Sequence, residues 1–201
     1  MSNYQRPSHR QQSELIIKNS RFITTMAPTP DKTSADDFVQ QLREEHPSAN
    51  HNCWAYVAGT PDDSRHWGCS DDGEPKGTAG RPMLNVLSHS GLGDISVVVT
   101  RYFGGIKLGT GGLVRAYSQA VREGLDVLEL ENVVAKTPIQ ISADFSMTGQ
   151  LEYLLGQFDV NITQRDWQAQ LLIEGLIETS KLEDFQQALQ PYSAITLSKC
   201  E

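Results

Sequence analysis

An α+β architecture in two domains follows from three features of the 201-residue sequence. An apolar run, Ile95-Ser96-Val97-Val98-Val99, has the composition of a buried strand, and it feeds a glycine-rich loop and then a long amphipathic helix. From Thr137 the pattern restarts as strand, helix, strand, strand, helix, strand, the split-βαβ or ferredoxin-like order. The length suits one large or two small domains, and 38% hydrophobic residues suffice for ordinary cores.

Taken in order, Met1 to Gln12 is polar, carries Arg6, His9 and Arg10, and has no apolar signal-peptide core. It reads as a frayed tail. Glu14 to Ala27 alternates around Leu15, Ile17, Phe22 and Ile23, with Lys18-Asn19-Ser20 as the turn between two short strands. Thr33-Ser34 can cap a helix whose stripe is Phe38, Val39 and Leu42, ending by Pro47. His51 to Val57 reads as a strand with Cys53, Ala55 and Val57 on one face. Pro82 suits the first turn of a helix built on Met83, Val86 and Leu87. The helix after the central loop runs to about Leu130 on Leu113, Tyr117, Ala120, Val121 and Leu128, with Arg115 and Arg122 on its exposed side. In the second half, Ile139 to Phe145 reads as the first strand, Val160-Asn161-Ile162-Thr163 and Ala169 to Leu176 as two more, and Tyr192 to Leu197 as the last. Thr148 to Phe158 and Thr179 to Leu189 read as helices.

The chemistry concentrates between Val97 and Tyr117. Gly104, Gly105, Gly109, Gly111 and Gly112 permit close approach to the main chain, and Arg101, Lys107 and Arg115 are threaded among them. Free N–H groups at the following helix N-terminus make an anion, most naturally phosphate, the expected ligand. A tight turn whose glycines only permit packing is the plainer alternative. Neither familiar phosphate motif is complete. Thr110-Gly111 stands where a P-loop needs Lys-Ser/Thr, and Val114 occupies the third glycine position of a dinucleotide fingerprint. No cofactor is therefore expected.

Asp71, Asp72 and Glu74 put three carboxylates into a Gly/Pro-rich stretch that cannot be a regular element. They could hold Mg²⁺ or form an acid/base pair, but carboxylates also crowd solvated turns, and that reading is preferred. His46, His51 and His66 lie near Cys53 and Cys69 without C-x-x-C or H-x-x-x-H spacing, so no metal site is expected. Three scattered cysteines, Cys53, Cys69 and Cys200, make no disulfide framework and point to the cytoplasm. No apolar run approaches the roughly 18 residues of a membrane span.

Net charge is −8. Residues 1–135 hold 13 Lys+Arg against 16 Asp+Glu, a net of −3, and residues 136–201 hold 4 against 9, a net of −5. A nucleic-acid contact therefore belongs to the basic glycine-rich stretch rather than to the second half.

Three segments together resemble one family closely: Ser70-Asp71-Asp72-Gly73-Glu74-Pro75, Gly77-Thr78-Ala79-Gly80-Arg81-Pro82-Met83, and Arg101-Tyr102-Phe103-Gly104-Gly105 with Gly109-Thr110-Gly111-Gly112-Leu113. They look like the signature of the IMPACT family, and the length and second half look like its bacterial YigZ branch. The resemblance implies a ribosomal-protein-like α/β domain with a left-handed βαβ crossover over residues 13–135, as in domain IV of elongation factor G. It also implies a ferredoxin-like domain over 138–201, similar to domain V of that factor. The resemblance also implies that eukaryotic relatives bind a scaffold that activates the amino-acid-starvation kinase and so regulate translation initiation; those relatives carry a different N-terminal extension, absent here. No catalytic residues are carried over.

The expected function is translation-linked regulatory binding, with the first domain touching RNA phosphates or a ribosome-associated protein, and no membrane partner. The alternative is a Mg-dependent enzyme acting on a phosphorylated small molecule. Binding is preferred because no nucleophile–base pair is legible. Asp71, Asp72, Glu74, Arg81, Arg101 and the Gly104–Gly112 loop are expected to line one face, with Arg101 or Arg81 able to pair with Asp71 or Asp72.

Overall fold

The computed structural model describes residues 3–199, so Met1, Ser2 and Cys200 of the readings above lie outside the described residues. The chain divides into two compact units, Tyr4–Val133, and Val134 onward together with Asn3.

In the first unit the elements are β1 (Tyr4–Pro7), β2 (Gln11–Ile17), β3 (Ser20–Pro28), α1 (Lys32–Glu45), β4 (His51–Val57), β5 (Trp67–Ser70), α2 (Gly80–Ser88), β6 (Ile95–Tyr102), α3 (Thr110–Asp126) and β7 (Leu130–Val133). Five strands form an antiparallel sheet in the order β2-β3-β6-β4-β5. The strands β3 and β4 both run antiparallel to β6 and flank it, so α1 is the crossover that joins two parallel strands. The apolar run of β6 is explained by burial on both faces. Ile95, Val97 and Val99 pack with α2 and α3 through Met83, Leu87, Leu113 and Tyr117. Val98 faces α1, against Phe38, Val39 and Leu42. Side chains that alternate across a strand thus meet a helix layer on either side.

From Tyr4 onward the N-terminal segment is not a frayed tail. β1 pairs antiparallel with β7, and buried Asp94 accepts from Tyr4 Oη at 2.7 Å and from the Gly59 amide at 3.1 Å. Arg6 bridges Asp94 and Glu131 at 3.4 and 2.7 Å. A polar segment therefore becomes a strand through long-range polar contacts rather than through apolar periodicity. The α1 cap also sits earlier than Thr33-Ser34. Asp31 accepts from the Ser34 amide, and Ser34 Oγ accepts from the Asp31 amide, a reciprocal capping box. α3 stops at Asp126, four residues before Leu130, which already belongs to β7.

The second unit contains β8 (Lys136–Ala143), α4 (Thr148–Gln157), β9 (Asn161–Trp167), β10 (Leu171–Glu178), α5 (Leu182–Leu189) and β11 (Ile195–Lys199). Its antiparallel sheet has the order β11-β8-β10-β9, the ferredoxin-like βαββαβ arrangement. Ile139, Ile141, Leu171, Ile173 and Ile177 pack beneath Leu151, Leu154, Leu155, Leu182, Phe185 and Leu189 of the two helices. Among the described residues no helix is long and apolar enough to cross a membrane.

Each unit has its own apolar core. Limited proteolysis is therefore expected to cut between Glu131 and Thr137 and to leave two compact fragments, read by intact-mass analysis. A single resistant product spanning that segment would contradict separable folding.

Candidate functional site

The end of the first unit's sheet where β6 finishes and β3 and β4 begin carries a polar cluster over the core. Register explains it: Arg101 is opposite both His51 of β4 and Phe22 of β3. Arg101 follows Val97 and Val99 on the α2/α3 face, and His51 precedes Cys53 and Ala55 on the same face. The core here ends in charged and polar groups, not in apolar ones.

Glu74 meets them from the loop before α2. Its Oε1 accepts from Arg101 Nη1 at 2.5 Å and from Tyr117 Oη at 2.8 Å. Both ionic side chains are almost wholly buried, at 7% exposure for Arg101 and 3% for Glu74. His51 Nε2 lies 3.9 Å from Glu74 Oε2, while its Nδ1 is 2.8 Å from the Asp72 carbonyl, a contact that fixes the ring's orientation. The Cys53 thiol donates to the Asp71 carbonyl at 3.0 Å and sits 3.3 Å from Tyr117 Oη. Burial, more than the neighbouring Cys53 and Glu74, pushes the Tyr117 hydroxyl far above its ordinary pKa, so it remains a donor. Burial likewise pushes the Cys53 thiol up, which makes it inert rather than nucleophilic.

The three acidic residues have three separate fates. The Asp71 carboxylate accepts from the amides of Gly77, Ala79 and Gly80 at 2.7, 2.9 and 2.9 Å and so folds its own loop. Asp72, with φ of 43°, accepts from the Asn52 amide at 2.7 Å and from Arg43 Nη2 at 2.7 Å. Only Glu74 turns into the cluster. The expected pairing of Arg101 or Arg81 with Asp71 or Asp72 is therefore replaced by Arg101 with Glu74 and Arg43 with Asp72.

Beside the cluster lies a cavity of about 380 Å³. Asn50 and His51 line it from the β4 side, Glu74 and Pro75 from the acidic loop, and Arg101 and Phe103 from the end of β6. Lys107, Leu108, Gly109, Thr110 and Leu113 complete it. The N-terminus of α3 thus opens at this cavity. Its N-cap is Gly109, at φ 71°, no side chain caps it, and the first intrahelical bond runs from the Leu113 amide to the Gly109 carbonyl at 2.9 Å. The amides of Thr110, Gly111 and Gly112 have no acceptor among the described residues. Arg101 Nε is also buried without a hydrogen-bond partner.

The glycines do different things. A Cβ on Gly104 would lie 2.0 Å from the Asn19 backbone, so that residue seats the loop on the β2–β3 turn. Gly105 adopts φ of 84°. A Cβ on Gly111 would meet nothing within 4 Å, and its carrier is an exposed residue of the first helical turn. Of the expected cations, Lys107 lines the cavity, whereas Arg81 and Arg115 are exposed and do not. All three lack an ion pair among the described residues. His51 and Tyr117 carry the site without having been singled out for it in the sequence. Tyr117 is hidden in an apolar helix stripe, and His51 shows itself only once the β4–β6 register is known.

The Asp71 carboxyl gives a stability prediction. Burial raises its pKa, the three amides more than offset that, and it sits below the ordinary aspartate range. A depressed folded-state pKa contributes stability that is present above the unfolded value of about 3.9 and is lost as pH falls through the lower folded value. Asp71→Asn is expected to cost roughly 1–3 kcal/mol at neutral pH and to flatten the acid limb of stability, read by urea melts across that range. Arg101→Ala is expected to cost about 3–5 kcal/mol, because it leaves Glu74 buried and unpaired.

A family model for the Impact N-terminal domain matches residues 18–125, which contain the whole cluster and cavity. The chain is 46% identical over 177 residues to IMPACT family member YigZ of Escherichia coli (strain K12), covering 88% of this chain and 87% of that protein. It is 44% identical over 195 residues to an IMPACT family member of Haemophilus influenzae, covering 96% and 94%. A crystal structure of a hypothetical protein, 42% identical, superposes with a TM-score of 0.79 over 100% of this chain and 98% of the other. With more than half its length matched by the family model, and its fold shared by a close relative, the chain belongs to the IMPACT family and stands with its bacterial YigZ branch.

Proposed function

We propose that this protein is a translation-linked regulatory binding protein of the cytoplasm, whose first unit contacts RNA phosphates at the α3 N-terminus. The supporting observation is the unused Thr110 amide and Lys107 at the cavity, with the free Gly111 and Gly112 amides next to them in the first turn of α3. Such donors at a positive helix end favour an anion. They favour RNA over a ribosome-associated protein, which remains the other partner class, because the unused groups are chiefly donors. The link to translation comes from the eukaryotic relatives that the family resemblance implies.

The second unit is a poor partner for RNA. The open face of its two central strands carries Gln140, Ser142, Leu172, Glu174 and Leu176, without the stacking aromatics that such sheets use. The Mg-dependent alternative loses support from the carboxylates, which are already engaged: Asp71 by amides, Asp72 by Arg43 and the Asn52 amide, Glu74 by Arg101 and Tyr117.

Affinity for a short RNA is expected to fall steeply as salt rises, and Lys107→Ala to lower that slope by roughly one unit. Gly111→Ala is expected to leave the melting temperature unchanged or slightly raised, since its Cβ would enter open space and alanine favours helix. It is expected to weaken binding all the same. RNA binding insensitive to both changes, measured by filter retention across a salt series, would contradict the proposal.

A further inference from the structure

We infer that the cavity takes one nucleoside monophosphate unit, either free or as an unpaired residue of single-stranded RNA, with its phosphate on the α3 amides and its base against Phe103. This deepens the phosphate reading and rests on it.

Shape is the first argument. The cavity, about 380 Å³, falls in the range of small-ligand sites, roughly 300–1,000 Å³. A recess of that size admits a single splayed nucleotide, whereas a duplex presents its phosphates on a convex surface with the bases stacked inside. RNA recognition through unstacked residues uses such recesses.

The chemistry of the walls is the second argument. Phe103 is 45% exposed, its amide is fixed by Asn50 Oδ1 at 2.8 Å, and its ring centre lies 5.7 Å from the Arg101 guanidinium carbon. An exposed ring held by its backbone at the rim of a cationic cavity is a stacking platform for a base. Leu108 and Leu113 extend the apolar wall. The α3 amides and Lys107 supply the phosphate end.

One unused acceptor on the cavity wall completes the match. Both hydrogen bonds to Glu74 use Oε1, so Oε2, with His51 Nε2 3.9 Å away, is free to accept from a base amino group. A plain inorganic anion would use the donors and leave both this acceptor and the ring unused.

The test uses the full chain, a labelled single-stranded oligoribonucleotide, its duplex, and nucleoside monophosphates measured directly by calorimetry. The single strand is expected to bind at least about tenfold more tightly than the duplex. Phe103→Ala is expected to weaken it roughly tenfold while Phe103→Tyr retains it. Phe103 is exposed, so an unchanged melting temperature accompanies either variant. Binding of monophosphates without RNA would support the site and assign it to free nucleotides, overturning the RNA reading. Equal binding of strand and duplex, indifferent to Phe103→Ala, would overturn the nucleotide site and leave phosphate contact standing. Absence of binding to every probe would overturn both.

Discussion

The buried ion pair between Arg101 and Glu74 holds the candidate site together. Arg101 is placed by the central strand, which is fixed by burial on both faces. Glu74 is placed by a loop that Asp71 folds through three amides. Their meeting draws that loop across the end of the sheet and makes one wall of the cavity. Burying both charges costs several kcal/mol per ion, so the pair adds little net stability over apolar residues of similar volume. Its consequence is positional. The guanidinium also lies 5.5 Å from the Phe22 ring centre, and Tyr117 meets that ring edge-on at 5.3 Å, so strand, loop and helix share one point of registration.

The same pair reshapes the electrostatics. Three cations threaded through five glycines suggest a strongly basic loop, yet Glu74 cancels Arg101, and Arg115 does not line the cavity. What is left there is Lys107 and the helix end, roughly one and a half positive charges. On a chain of net charge −8, this favours local recognition over long-range steering. A ligand that offers apolar and hydrogen-bonding surface beside its charge fits such a site better than a bare polyanion does.

What was legible in the sequence was what periodicity encodes. The doubly buried β6, the amphipathic α3 and the ferredoxin-like second unit each declare themselves through spacing of apolar residues. The short strands β1, β5 and β7 do not, because four-residue segments held by pairing, and in β1 also by Asp94, carry no period to read. The glycine loop stood out, but the division of labour within it did not. That Gly104 is needed for packing and Gly111 is not depends on what lies opposite each. Likewise Asp71, Asp72 and Glu74 look equivalent in line, and only the turn at Asp72, with its positive φ, sends their carboxylates to different partners. His51 reaches Arg101 through strand register, a long-range fact with no local signature.

The most direct test is to watch the donors themselves. In a ¹⁵N-labelled sample titrated with a short single-stranded RNA, the amide resonances of Thr110, Gly111 and Gly112 should move together. The Phe103 ring signals should shift in the same titration, with one midpoint for all. Shifts confined to the second unit, or binding that leaves those three amides unmoved, would contradict the account.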